Sequence, residues 1–141
     1  MVIDTSALAA IFFSEPEGPE FLRAIVEAED RLISAATVLE TGIVLEARHG
    51  EAAGREFDLF TVRAKLRVIP FDTEQAELAR SAWRKYGKGR HPAGLNFGDC
   101  FAYALAQTTG EPLLAKGADF AATGIALHSD GPGTTNQDPR S

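Results

Sequence analysis

The stretch MVIDTSAL, residues Met1–Leu8, decides the fold. A short apolar run, Met1–Ile3, ends on a carboxylate at Asp4, and a helix-forming run begins two residues later at Ser6. An acid is a poor end for a purely structural strand, so its presence asks for a reason.

The alternation of short strand and helix continues along the chain. A strand is predicted over 2–4 and a helix over 6–12, stopped by Ser14–Glu15–Pro16. Pro16 or Pro19 suits the first turn of a second helix ending near Glu29. A strand over 32–34 precedes an amphipathic helix from Ala35 to His49, closed by Gly50, and a further helix over 51–65. A strand over 68–70 leads to a helix over 73–86, then a glycine- and proline-bearing loop, GKGRHPAGLN. A helix from Gly98 to Gly110, a strand over 112–115, a turn after Asp119 and an edge strand over 125–128 complete the pattern. Short β runs separated by helices predict a three-layer α/β/α sandwich with a central, mostly parallel sheet. The remainder, SDGPGTTNQDPRS, is polar and rich in proline and glycine, so residues 129–141 read as a disordered tail.

With 141 residues, 45% hydrophobic and 24% charged, the chain suits one soluble domain with a real core. No apolar stretch approaches the roughly 18 residues of a membrane span. Residues 2–13 lack the basic flank of a signal peptide. The single cysteine, Cys100, excludes an internal disulfide and suits a reducing cytoplasm. The formal charge of −6 argues against a nucleic-acid partner, but its distribution does not. From Leu78 to Gly98 there is no acid, while Arg80, Arg84, Lys85, Lys88, Arg90 and His91 all fall there. Such a block is either a solvated face or a phosphate-steering patch.

Ligands of parallel α/β sheets sit outside the carboxyl ends of the strands. Asp4 closes the first strand and Asp119 follows the strand at 112–115, which puts both on one rim. In TVLETGIVLEA, Ala36, Ile43, Val44 and Ala47 share a helical face with Glu40, so Glu40 reads as turned toward the core. Burying a lone carboxylate is costly unless it is paired or coordinates a metal. In NFGDCFAYALA, Asp99 shares a face with Ala102, Tyr103 and Ala106, although an acid in a first turn near Asn96 also suits the helix dipole. Asp119 alone has an equally plain reading as a helix cap. Two carboxylates about 5 Å apart repel by about 3 kcal/mol at an effective dielectric of 20. Several together shift their pKa values upward or need a cation. An all-oxygen set matches Mg²⁺ or Mn²⁺ rather than zinc. His49, His91 and His128 with one cysteine lack zinc spacing.

Asp4 in VIDTSAL, Glu40 in LET, Asp99 in NFGDCFAYALA and Asp119 in LLAKGADF resemble the acidic quartet of PIN-domain nucleases. More closely, the chain resembles VapC-like toxins of bacterial toxin–antitoxin pairs, from Val2 to about Ala126. The resemblance implies a PIN-like domain over 1–128, Mg²⁺- or Mn²⁺-dependent endoribonuclease activity, a homodimer and inhibition by a small antitoxin. It makes Asp4, Glu40 and Asp99 the core metal ligands and Asp119 the fourth acid, all four catalytic. It also sets Ser6 beside Asp4 and makes Asn96 an ordering residue of the site. The chain departs from the family pattern at Ala118 and Gly124, where relatives often carry polar or acidic residues, leaving fewer oxygens for a second ion.

The reaction expected is hydrolysis of an RNA phosphodiester by metal-activated water. Arg84, Lys85, Lys88, Arg90 and Lys116 are candidates for holding phosphates, with Lys116 alternatively pairing with an acid. Phe12, Phe13, Trp83, Tyr86 and Phe97 are available to stack on bases, if they are not core. The apolar N-terminal helices, with Phe12, Phe13 and Phe21, are the expected antitoxin groove. Two other readings stay open: a non-catalytic binding module on the same fold, and a phosphoacceptor signalling domain built on Asp4, Asp72 and Lys116.

Overall fold

The structure, a computed structural model, describes residues 1–128. The tail predicted over 129–141 lies outside the described residues. Four short parallel strands, β1 (Val2–Ile3), β2 (Leu32–Ser34), β3 (Arg67–Ile69) and β4 (Leu113–Leu114), form one sheet in the order β3-β2-β1-β4. Six helices surround it: α1 (Thr5–Phe12), α2 (Gly18–Glu27), α3 (Ala35–His49), α4 (Glu51–Arg63), α5 (Thr73–Tyr86) and α6 (Phe97–Thr109). A short 3₁₀ turn follows at Asp119–Thr123.

Alternation along the strands separates two cores. Val2, Leu32 and Leu113 join Leu95, Ala102 and Leu105 on the face covered by α5 and α6. Met1, Ile3, Ile33 and Leu114 join Leu8, Ile25, Leu45 and Phe57 on the other face, under α1 to α4. Strands buried on both faces are the signature of a parallel sheet covered by helices. The predicted three-layer sandwich is therefore the observed one.

The local differences have physical causes. The first strand stops at Ile3 because Asp4 turns the chain, accepting the Ser6 amide at 3.0 Å as the N-cap of α1. The third strand is shifted to end at Ile69, before Pro70, which has no N–H to donate. The edge strand expected over 125–128 is reduced to a single bridge between Leu113 and Leu127. The helix at Glu40 is rotated from expectation. Its buried stripe is Thr37, Thr41 and Leu45, whereas Ile43 is 60% exposed and Val44 and Ala47 face outward. Glu40 thus stands at the edge of the stripe, half-buried, and not within it.

Because β1 lies between β2 and β4, the chain winds away from β1 in both directions. The crevice beyond β1 and β4 is a topological switch point, where α/β sheets bind ligands.

Candidate functional site

Asp4 emerges at this crevice, 2% exposed. Its Oδ2 accepts the backbone N–H of Ser6 at 3.0 Å and the Ser6 hydroxyl at 2.6 Å. Ser6 is fixed in turn by the amide of Lys116, which donates to its Oγ at 2.9 Å across from the end of β4. Asp4 Oδ1 is buried and has no hydrogen-bond partner among the described residues. Capping explains one oxygen only, and Ser or Asn would cap as well without burying a charge. The orphaned oxygen therefore needs another explanation.

Glu40 reaches the same crevice from α3. The Thr5 hydroxyl donates to its Oε1 at 2.6 Å, and Thr5 also contacts the Thr41 hydroxyl at 3.0 Å. The Glu40 carboxylate lies in the space over Gly98 that any β-carbon would fill. Asp99 sits in the next position of α6, in a complete capping box: Asn96 Oδ1 accepts the Asp99 amide at 2.8 Å, and Asp99 Oδ2 accepts the Asn96 amide at 3.0 Å. The plain reading of Asp99 as a capping residue is met, and the box engages only its Oδ2. Asp119 begins the 3₁₀ turn, is exposed and makes no capping hydrogen bond, so the helix-cap reading of this residue fails.

The electrostatics tie these acids into one group. Burial pushes the Asp4 carboxyl up to about 7, against the lowering effect of Ser6, and the charges of Asp99 and Glu40 push it further in the same direction. Asp99 is raised as well, first by burial, then by Asp119 and Glu40, with the Asn96 amide opposing. Each member of the predicted quartet thus acts on another, although they come from four distant parts of the chain.

As they stand, no three acid, histidine or cysteine side chains among the described residues are close enough to hold an ion together. Thr5, Ser6 and Asn96 each hold one acid. The donors nevertheless fit a hard divalent cation: all are carboxylate oxygens, one is buried and unpartnered, and Gly98 leaves room beside Asp99 for Glu40. Fit does not extend to lysine neutralisation. Lys116 Nζ donates to Glu15 at 2.7 Å and lies 3.6 Å from Glu17, which raise its pKa, so its side chain is paired and directed to α2.

Arg84, Lys85, Lys88 and Arg90 are all exposed, and none forms an ion pair among the described residues. The loop carrying the last two is not slack. Gly87 bridges Leu95, Leu95 donates to Tyr86, and Arg90 and His91 donate back to Gly87. Phe12, by contrast, packs edge-on against Phe57 and Phe60, and Phe13 lies under Arg48. Asp72 caps α5 through Gln75, which removes it from the phosphoacceptor layout.

Sequence reasoning missed Thr5 and Gly98. Gly98 had a visible signal, a poor helix former in the first turn of a helix and next to a suspected ligand. Thr5 had none beyond its place after Asp4.

A parallel α/β/α sandwich that collects acids at the switch point beside its first strand has the layout of a PIN domain. Residues 1–126 match the family described as PIN domain, and the chain belongs to that family. Within it, Ribonuclease VapC30 of Mycobacterium tuberculosis is 53% identical over 126 residues, 89% of this chain and 96% of that protein. Among solved structures, Mycobacterium tuberculosis VapC20, a sarcin–ricin loop cleaving toxin, has a similar fold with a TM-score of 0.73 at 22% identity, over 90% of this chain and 97% of that one. A toxin–antitoxin complex from Klebsiella pneumoniae follows at 0.66 and 21%, over 90% and 95%.

Proposed function

We propose that the protein is the ribonuclease toxin of a toxin–antitoxin pair, hydrolysing RNA phosphodiester bonds in the cytoplasm with Mg²⁺ or Mn²⁺. The observation that carries this reading is the orphaned, buried oxygen of Asp4, which feels the charges of Glu40 and Asp99 and is paired with no cationic side chain among the described residues. The identity to curated VapC ribonucleases supports the choice of RNA.

Asp4, Glu40 and Asp99 would hold the ion, with Asp119 as the fourth acid at the open side. A bound divalent ion supplies a lowered pKa for a water and offsets charge gathering on the phosphate. Ser6 keeps Asp4 fixed, Thr5 aims Glu40, and Asn96 orients Asp99 through the capping box. These neutral partners position the carboxylates without cancelling their charge. The N-termini of α1 and α6 both open at the crevice, adding partial positive charge where a phosphate would approach. Arg84, Lys85, Lys88 and Arg90, exposed and outside any ion pair among the described residues, draw the RNA backbone to the protein.

An antitoxin would cover the apolar surface of α2, α3 and α4. Leu22, Val26, Leu39, Ile43, Val44, Leu59 and Val62 are the large apolar residues exposed there, while Phe12, Phe13 and Phe21 are half-buried against the core. It would also send a basic side chain toward Asp4, Glu40 and Asp99. Association as a homodimer is part of the same reading.

Incubation of total cellular RNA with the protein tests the activity. Cleavage with Mg²⁺ or Mn²⁺ that stops with chelator is expected, and Asp4→Asn should remain folded and inactive. Wild-type cleavage by Asp4→Asn would refute the assignment.

A further inference from the structure

The first turn of α6 has a second side. Opposite the carboxylates, a cavity of about 560 Å³ opens between α5 and α6, in the size range of small-ligand sites. Phe97, Phe101 and Phe71 form a continuous edge-to-face row, with ring centroids 4.8 and 5.1 Å apart. Trp83 also lines the cavity, and Asn96, the residue that orients Asp99, borders it. Phe97 is 80% exposed and Trp83 42%. Two large aromatics left in water beside a functional site mark a contact surface.

The charges say what kind of contact. The charged residues lining the cavity are Arg80 and Lys88, and no acid is among them. Arg90 adds a guanidinium 4.7 Å from the Trp83 ring centre. In a protein of charge −6, aromatic walls whose charged lining residues are both cations fit an aromatic anion. A nucleobase with its attached phosphate has that character. Stacking accepts any base, and a base held in a duplex cannot enter without leaving its stack.

We propose that this cavity is a base-binding subsite for single-stranded RNA, taking the unpaired base of a nucleotide next to the scissile phosphate between Phe97 and Trp83, with Lys88 and Arg80 on the adjoining phosphate. The proposal rests on the ribonuclease reading for which phosphate is cut, but not for what the cavity binds. It makes α6 a partition: Asp99 faces the reacting phosphate while Phe97, two residues earlier, fixes the register of the strand.

Trp83 is the only tryptophan, so its emission reports on the cavity directly. The full-length Asp4→Asn protein, which leaves RNA uncut, is titrated with a short unstructured oligoribonucleotide. Saturable quenching is expected, with little response to the same sequence as a duplex. Phe97→Ala should weaken binding about 10-fold and Phe97→Tyr should restore it. An oligonucleotide with abasic positions should bind weakly and be indifferent to Phe97→Ala. Equal quenching by duplex, or an unchanged Kd in Phe97→Ala, overturns the subsite. So does a shift of Phe97→Ala to a smaller assembly in sedimentation with RNA binding intact, which would assign the cavity to a second copy. A saturable change in Trp83 emission on adding a peptide antitoxin segment, with none on adding the oligoribonucleotide, would assign it to a protein partner and also overturn it. The two readings fail separately: active cleavage with a silent Trp83 sinks the subsite alone, and a responsive Trp83 without metal-dependent cleavage sinks the nuclease alone.

Discussion

The two sides of the first turn of α6 differ in how they treat charge. On one side, Asp4 and Asp99 are buried or half-buried, and each has a neutral hydrogen-bond partner that fixes its direction. On the other, Arg80, Lys88 and Arg90 are exposed and free of ion pairs among the described residues. A group that must meet an ion at a fixed point has to be desolvated and aimed, which raises its free energy when unoccupied. A group that attracts a long polyanion works from the surface, where desolvation costs nothing. The nearest lysine in sequence to the acids is kept from neutralising them by Glu15 and Glu17. That arrangement leaves the acidic side without a lysine partner among the described residues, with α6 between it and the basic side.

The largest effect should come from breaking the acidic side. Asp4→Asn is expected to reduce cleavage by well over 100-fold, since even outer partners of metal ligands are worth about 10–100-fold. Binding of single-stranded RNA should survive, because it draws on the other side. The same substitution should stabilise the metal-free protein at alkaline pH. A carboxyl raised from 3.8 to about 7 on folding holds a proton that the unfolded chain has lost. Its contribution is complete below about 3.8 and disappears as pH rises through about 7, a difference of about 4 kcal/mol. Thermal melts in chelator should therefore show the wild type losing several degrees between pH 5 and pH 8, and Asp4→Asn losing less. Added Mg²⁺ should restore the wild type at pH 8. Parallel melting curves for the two proteins across that range would remove the claim that Asp4 is buried at a cost.

Much of this was legible in the sequence. Strand–helix alternation gave the layers, because burial on both faces forces short apolar runs. The sites of Asp4 and Asp99 followed from where strands end and helices begin. Glu40 was singled out for a reason that proved incorrect. The apolar residues around it, Ile43 and Val44, face outward, and α3 turns threonines toward the core. Periodicity cannot tell a face packed on the protein's own core from one exposed for a partner, since both are apolar. Nor could it show that Lys116 reaches Glu15, a contact spanning 101 residues. Phe97 reads in sequence as one of five aromatics that either stack on bases or fill the core, and its 80% exposure sets it apart.

Gly98 sharpens the comparison at the partition itself. Ala has the better helix propensity, by about 1 kcal/mol, so Gly98→Ala should leave the melting temperature unchanged or raised. Its β-carbon would take the space of the Glu40 carboxylate, a flexible side chain that moves aside. Cleavage should then fall about 10-fold or more, with the apparent Mg²⁺ affinity weakened and Trp83 still responding to single-stranded RNA. A variant both more stable and fully active would mean that Glu40 does not need its place over α6.

The smallest effect should come from the basic side, one charge at a time. If Lys88 meets a phosphate, Lys88→Ala should lower the slope of log K against log salt by about 0.7 for a single strand. Its loss at moderate salt should be only a few-fold, and the same for every sequence, because a phosphate carries no base identity. Lys85 lies over Tyr86, 5.7 Å from the ring centre, and is absent from the cavity lining. Lys85→Ala should then change the slope less than Lys88→Ala. Equal slopes for the two variants would mean a diffuse field that attracts RNA without placing it. A larger drop for Lys88→Ala, coupled to Phe97→Ala in a double-mutant cycle, would show phosphate and base held as one nucleotide.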